Sequence, residues 1–252
     1  MLTIGMVGLV LAYFCSAVFF AISYLTQKIP KISILFLHAA EYIQCFAIRF
    51  LLTIQPWLNC KNNFQSIYGF FDVYKTRKVM FVANHRSNLD TFIMISLIPG
   101  LRGLAKSSLF YNIFFAPIMY LSGFIPAKKG DVNSFLLGLK KVKSTVLERN
   151  RPVLIFPETT RCQKNFGSIG KFSRATFDIA LETKALIVPV FIFGTDDVMG
   201  RGDLFLRPNH PVHLELLPVV DTAKFNSSTE LSKYIWQQIA DAQNKHRELL
   251  CS

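Results

Sequence analysis

Apolar side chains dominate the first sixty residues and then break into short runs. From Leu2 to Gln27 no side chain carries a charge. As a helix with about 1.5 Å rise per residue, such a stretch is long enough to cross a hydrocarbon core of about 30 Å. The pattern predicts a membrane-inserted helix, because the basic start and small-residue cleavage site of a secretory leader are missing. A second apolar stretch, residues 32–58, includes His38, Glu41 and Arg49. Each is costly at the bilayer centre, so this stretch reads as an amphipathic helix in one leaflet. Lys28 and Lys31 sit in the connection, and Lys61, Lys75, Arg77 and Lys78 follow. The rule that positive charge stays inside then predicts that the rest of the chain lies on the cytoplasmic face of a membrane. Whether the first helix crosses fully or turns back within a leaflet is open at this stage.

From about residue 76 the pattern changes to short β-branched or aromatic runs alternating with longer amphipathic ones. Residues 79–83, 153–156, 187–193 and 212–217 read as strands. Residues 88–98, 107–121, 132–149, 174–183 and 229–249 read as helices; in the third of these Val132, Phe135, Leu139, Val142 and Val146 share one face. The alternation predicts an α/β fold with a sheet covered by helices. The expected organisation is a membrane-anchoring segment, residues 1–60, followed by one domain, residues 61–252.

Composition sharpens this picture. Half of the 252 residues are hydrophobic and 17% are charged, which excludes a disordered chain. The net charge is +12, and residues 61–165 alone carry +11. A focused positive field suits an anionic partner such as phosphate, an acidic carrier, an anionic membrane or nucleic acid. No nucleic-acid recognition motif accompanies the charge, so no nucleic-acid partner is expected. The five cysteines (Cys15, Cys45, Cys60, Cys162, Cys251) are odd in number and widely spaced, which predicts neither a disulfide framework nor a metal knuckle.

The residues that carry chemistry sit where predicted strands end. In Val82-Ala-Asn-His-Arg-Ser-Asn-Leu-Asp90, His85 occupies the loop and Asp90 the first helical turn, behind a Ser87/Asn88 cap. A carboxylate at this spacing can hold one ring N–H and leave the other nitrogen as a general base. Leu154-Ile-Phe-Pro-Glu-Thr-Thr-Arg161 is a strand running into a loop that presents Glu158 and Arg161. Arginine suits bidentate phosphate binding, and Glu158 can orient it or accept from a substrate hydroxyl. Gly123-Phe-Ile-Pro-Ala-Lys-Lys129 is a second strand-like segment ending in cations. A nucleophile elbow, a phosphate loop and a metal-binding helix motif are all missing from the sequence, which predicts direct general-base transfer without metal or nucleotide.

Four such blocks in order resemble the glycerolipid acyltransferase (PlsC-type) family. Asn84 to Asp90 matches its His-x-x-x-x-Asp block. Lys106, in Gly103-Leu-Ala-Lys-Ser-Ser-Leu109, resembles the lysine of its Ala-Lys-x-x-Leu segment. Gly123 to Lys129, Phe156 to Arg161 and Ile187-Val-Pro-Val190 match the blocks that follow. The resemblance covers residues 80–192 and implies an enzyme that acylates 1-acylglycerol-3-phosphate to phosphatidate in phospholipid biosynthesis. It also implies an N-terminal two-helix membrane motif and membrane lipids as partners. In its terms His85 deprotonates the acceptor hydroxyl and Asp90 orients His85. Lys129 and Arg161 hold the acceptor phosphate, Glu158 positions the glycerol, and Lys106 lies near phosphate or oxyanion. The donor is acyl-CoA or acyl-carrier protein, with no cofactor and no metal. Alternatives are another lysophospholipid or lyso-aminolipid as acceptor, or a catalytically silent lipid-binding protein. Three departures bear on this, one of them Ala175, which follows Arg174 where the family usually has Gly. The second block ends Lys128-Lys129 where the family usually has Asp-Arg, and Thr159 stands where it usually has Gly. A β-branched residue is strained at positive φ, which predicts negative φ at Thr159.

Overall fold

In the computed structural model, residues 2–54, 58–62, 78–111, 116–128, 130–148, 151–161, 169–200, 203, 207 and 210–251 are described. The uncharged N-terminal stretch forms α1 (Leu2–Leu25), and the second apolar stretch forms α2 (Pro30–Ile54). The turn between them closes through Thr26 N–H to Ile22 O (2.9 Å) and Ile29 N–H to Thr26 O (2.8 Å). Ser23 and Ser33 lock the two helices together, each hydroxyl donating to the other residue's carbonyl at 2.8 and 2.9 Å. Among the described residues, Pro30–Arg49 is long and apolar enough to cross a membrane by length and composition, and Phe14–Leu25 is a shorter apolar segment.

The chain clusters into two compact units, one of residues 1–56 with 91–138, the other of residues 57–90 with 139–252. The first holds the α1–α2 hairpin, most of α3 (Leu89–Leu97) and the parallel pair β3 (Arg102–Lys106) and β4 (Ile125–Ala127), in register Leu104 to Ile125. A 3-10 turn (Ser107–Tyr111) and α4 (Ala116–Leu121) lie between those strands. Of the predicted helix over 107–121, the first part is a 3-10 turn and residues 116–121 are α-helical, while residues 112–115 lie outside the described ones.

Much of the hairpin's open surface is apolar, and its packed face mixes small, polar and aromatic residues. Ser16, Phe20 and Ser23 of α1 and Ala40, Glu41, Gln44 and Ala47 of α2 are buried, while Phe14, Val18, Leu35, Tyr42 and Phe46 are exposed. Glu41 pairs with Arg102 of β3 at 2.7 Å, both within 6% exposure, and Cys45 Sγ donates to Ser96 O of α3. That ion pair is how α2 tolerates a carboxylate in an apolar helix.

The second unit is a mixed sheet in the order β1-β7-β6-β2-β5: β1 (Leu58–Asn62), β7 (His210–Leu216), β6 (Leu186–Phe193), β2 (Val79–Ala83) and β5 (Val153–Ile155). β2 runs parallel to both neighbours, Phe81 lying opposite Val188 and Leu154. β6 is antiparallel to β7 and to β8 (Val220–Asp221). β2 is buried along its whole length and β6 nearly so, as expected of strands covered on both faces. The cover includes α6 (Arg174–Thr183), burying Phe177 and Ile179, and α8 (Ser228–Cys251), burying Leu231, Ile235, Ile239 and Gln243 on one stripe. α5 (Val132–Glu148) adds Leu139, Val142 and Val146. The α/β fold read from alternation is the fold observed. Sequence pattern did not reveal β1, β3 or β8, whose runs are short and lack alternation.

Candidate active site

β2, β5 and β6 are parallel neighbours, so the loops leaving their carboxyl ends meet at one edge of the sheet, where open α/β folds place their sites. The loop after β2 is fastened first by Asn84. Its side-chain amide donates to Ile192 O and accepts from Ile192 N–H, both at 2.8 Å, tying the loop to β6. His85 follows, its ring stacked on Phe156 with centroids 4.0 Å apart and planes 19° from parallel. His85 Nδ1 lies 2.9 Å from Asp90 Oδ2. The histidine side chain is 18% exposed and that of Asp90 is 0%. Nε2 has no hydrogen-bond partner among the described residues.

Asp90 is held on all sides. Oδ2 also accepts from Arg86 N–H (2.7 Å) and Ser87 N–H (2.8 Å), and Oδ1 accepts from the Thr195 hydroxyl (2.5 Å). The same oxygen that accepts the Arg86 and Ser87 amides faces Nδ1, an arrangement suited to Nδ1–H donating to Asp90 and Nε2 accepting. A short helix, α7 (Thr195–Val198), follows β6 and supplies further grips. Arg86 meets Asp196 through two bonds of 2.7 and 2.8 Å and lies over the Phe193 ring at 5.4 Å. Ser87 Oγ donates to Met199 O and accepts from Leu89 N–H, which caps α3 as the sequence predicts.

Glu158 is buried, and both its oxygens are occupied by main-chain donors: His85 N–H on Oε1 (2.9 Å) and Gly170 N–H on Oε2 (2.7 Å). Burial raises its pKa above the ordinary 4.5, while these two N–H groups pull the other way. Its geometry is that of a brace beneath the histidine loop. The next residue corrects the sequence reading: Thr159 has φ +59°, not negative. Thr159 N–H donates to Phe156 O and Ser173 N–H to Pro157 O, so bonds on both sides of the turn, with the Glu158 brace, force the left-handed geometry. Arg161 lies at the end of the same loop, half-buried, its guanidinium without a partner among the described residues.

The structure thus brings His85, Asp90 and Glu158 together, with Arg161 on the adjoining loop. Lys106 ends β3 in the other compact unit and is exposed. Lys129 lies outside the described residues, and its neighbour Lys128 is exposed. Among the described residues no three His, Cys, Asp or Glu side chains converge as a metal site requires. Sequence reading missed Thr195, Asp196 and Gly170. The only local signal for Thr195 and Asp196 is the Gly194-Thr-Asp turn after a strand, which names no partner.

Residues 65–193, half of the chain, match the Acyltransferase family profile. The chain belongs to the acyltransferase family. A chloroplastic 1-acyl-sn-glycerol-3-phosphate acyltransferase of Arabidopsis thaliana is 30% identical over 49% of this chain and 34% of its own length. A 1-acyl-sn-glycerol-3-phosphate acyltransferase of Saccharomyces cerevisiae is 28% identical over 71% of this chain and 60% of its own. The chain thus spans between about a third and three fifths of these two relatives' lengths. The crystal structure of the 1-acyl-sn-glycerophosphate acyltransferase PlsC from Thermotoga maritima shares the fold, with TM-score 0.65, 21% identity and 98% of each chain covered. The braced His85–Asp90 pair lies within the matched residues and coincides with the block that carries the resemblance to this family.

Proposed function

We propose that this acyltransferase moves an acyl group from an acyl thioester, acyl-CoA or acyl-carrier protein, to the free hydroxyl of 1-acylglycerol-3-phosphate, giving phosphatidate. One observation carries the reading: His85 Nδ1 is engaged by a buried carboxylate while Nε2 has no partner among the described residues. Nε2 takes the hydroxyl proton as the acceptor oxygen attacks the thioester carbonyl. The C–O bond forms, the C–S bond breaks, and the thiolate leaves with the proton. Asp90 fixes the tautomer and stabilises the imidazolium. A thioester is already activated, so a base and a positive site suffice. Arg161, Lys129 and Lys106 supply the positive charge for the acceptor phosphate and the oxyanion. Glu158 acts by holding the His85 main chain.

In this proposal residues 1–60 anchor the protein in one leaflet and residues 61–252 work on the cytoplasmic face. The reading is supported by the apolar exterior of the hairpin. Glu41, near the middle of α2, also engages Arg102 of β3, and this charged contact supports α2 lying in one leaflet rather than across the bilayer. The test is incubation of membranes carrying the protein with lysophosphatidate and a labelled acyl thioester, beside lysophosphatidylglycerol and a lyso-aminolipid. Label is expected in phosphatidate, and none above background with His85→Ala. No transfer by wild type, or equal transfer by His85→Ala, overturns the mechanism; preference for another acceptor overturns the substrate.

A further inference from the structure

We infer that Thr195 is a positioning residue for the His85–Asp90 pair and that the turn Gly194–Met199 is the clamp that aims it, an inference that rests on the acyl-transfer reading above. Thr195 is fully buried and donates its hydroxyl to Asp90 Oδ1, the carboxylate oxygen that neither His85 nor the Arg86 and Ser87 amides touch. Three donors on one oxygen leave the carboxylate free to be pulled about its Cβ–Cγ bond; a fourth on the opposite oxygen fixes that torsion. With the torsion fixed, Oδ2 stays in line with Nδ1, and Nε2 keeps one direction.

The same turn grips the loop twice more. Asp196 takes the Arg86 guanidinium through two bonds, and Met199 O accepts from Ser87 Oγ. Three residues of one turn thereby reach Asp90, Arg86 and Ser87. Gly194 makes this geometry accessible: at φ +80° it turns the chain out of β6, and a Cβ there would overlap the Pro211 carbonyl. The charged groups set against the histidine loop are Asp90, Glu158, Arg86 and Asp196.

A hydrogen bond to a charged group, once removed from a buried site, leaves an unsatisfied carboxylate oxygen. Thr195→Val removes the hydroxyl at nearly constant shape, and Thr195→Ser keeps it. The first readout is steady-state acyl transfer. Thr195→Val is expected to lower kcat about ten- to a hundredfold, as loss of one such bond does, with KM for both substrates within about twofold. Thr195→Ser is expected to recover most of kcat. The second readout needs no turnover: the titration of the His85 ring, followed by NMR of 15N-histidine-labelled protein in detergent with His85→Ala for assignment. Removing the donor destabilises the Asp90 anion, so the pair holds its proton more tightly and the His85 midpoint moves to higher pH in Thr195→Val. Unchanged kcat together with an unmoved midpoint overturns the clamp, as does an equal fall in Thr195→Val and Thr195→Ser. If wild type transfers no acyl group while the midpoint still moves, the acyl-transfer reading fails and the clamp stands.

Discussion

Asp90 holds four hydrogen bonds on two oxygens, and only one of them goes to the histidine. The other three fix where that one points, so the proposed base depends on groups that need not touch an acceptor. Thr159 follows the same logic. A β-branched residue at φ +59° carries strain of about 1–2 kcal/mol, and the brace at Glu158 and the turn bonds hold it there. Thr159→Gly relieves the strain but adds about 0.5–1 kcal/mol of unfolded-chain entropy. The net expectation is a gain of up to about 1 kcal/mol, read as a higher urea midpoint with unchanged slope; a loss of stability would show that Thr159 makes contacts outweighing its strain. At this scale the histidine and its carboxylate were legible because they lie five positions apart on one strand-loop-helix segment. The φ of Thr159 was not, because bonds from Phe156 and Ser173 set it, and side-chain preference alone argued the other way.

At the scale of elements, α2 inverts the usual amphipathic order. Its packed face carries Ala40, Glu41, Gln44 and Ala47, and its open face Leu35, Tyr42 and Phe46. Small residues let helices approach closely where lipid, not water, is the solvent, and polar ones then bond inward. The Glu41–Arg102 pair is the centre of that packing. Arg102→Met takes this ion partner from a buried carboxylate and is expected to cost up to about 3–5 kcal/mol. Adding Glu41→Gln should recover much of the loss, with thermal unfolding in detergent as the measurement. Single and double variants of equal stability would mean the pair contributes nothing. His38, Glu41 and Arg49 marked α2 from sequence as unlike a plain spanning helix; which of them turns inward depends on β3, a strand that sequence pattern did not show.

At the scale of the whole molecule, the excess positive charge suits the anionic lipids of the proposed reaction, and the exposed apolar side chains of the hairpin suit the proposed membrane anchor. The proposed anchoring in one leaflet makes a topological prediction. With a cysteine introduced at Gln27 in the hairpin turn, a membrane-impermeant maleimide applied to sealed vesicles from the side opposite the catalytic domain should leave that position unlabelled. Labelling from that side would mean that the hairpin spans. Cys15, exposed on α1 within the apolar stretch, is replaced beforehand.

Periodicity was enough to determine the α/β class, the paired N-terminal helices and the strands β2 and β6, since burial on two faces demands continuous apolar runs. The His85–Asp90 pair was likewise readable, being a contact within one loop. Sequence could not determine that Glu158 braces the main chain, that Thr195 reaches Asp90 from 105 positions away, or that Glu41 finds Arg102 across 61. These contacts join segments whose spacing carries no period, and only the packing of β2 between β5 and β6, and of α2 against β3, brings their donors within reach of their acceptors.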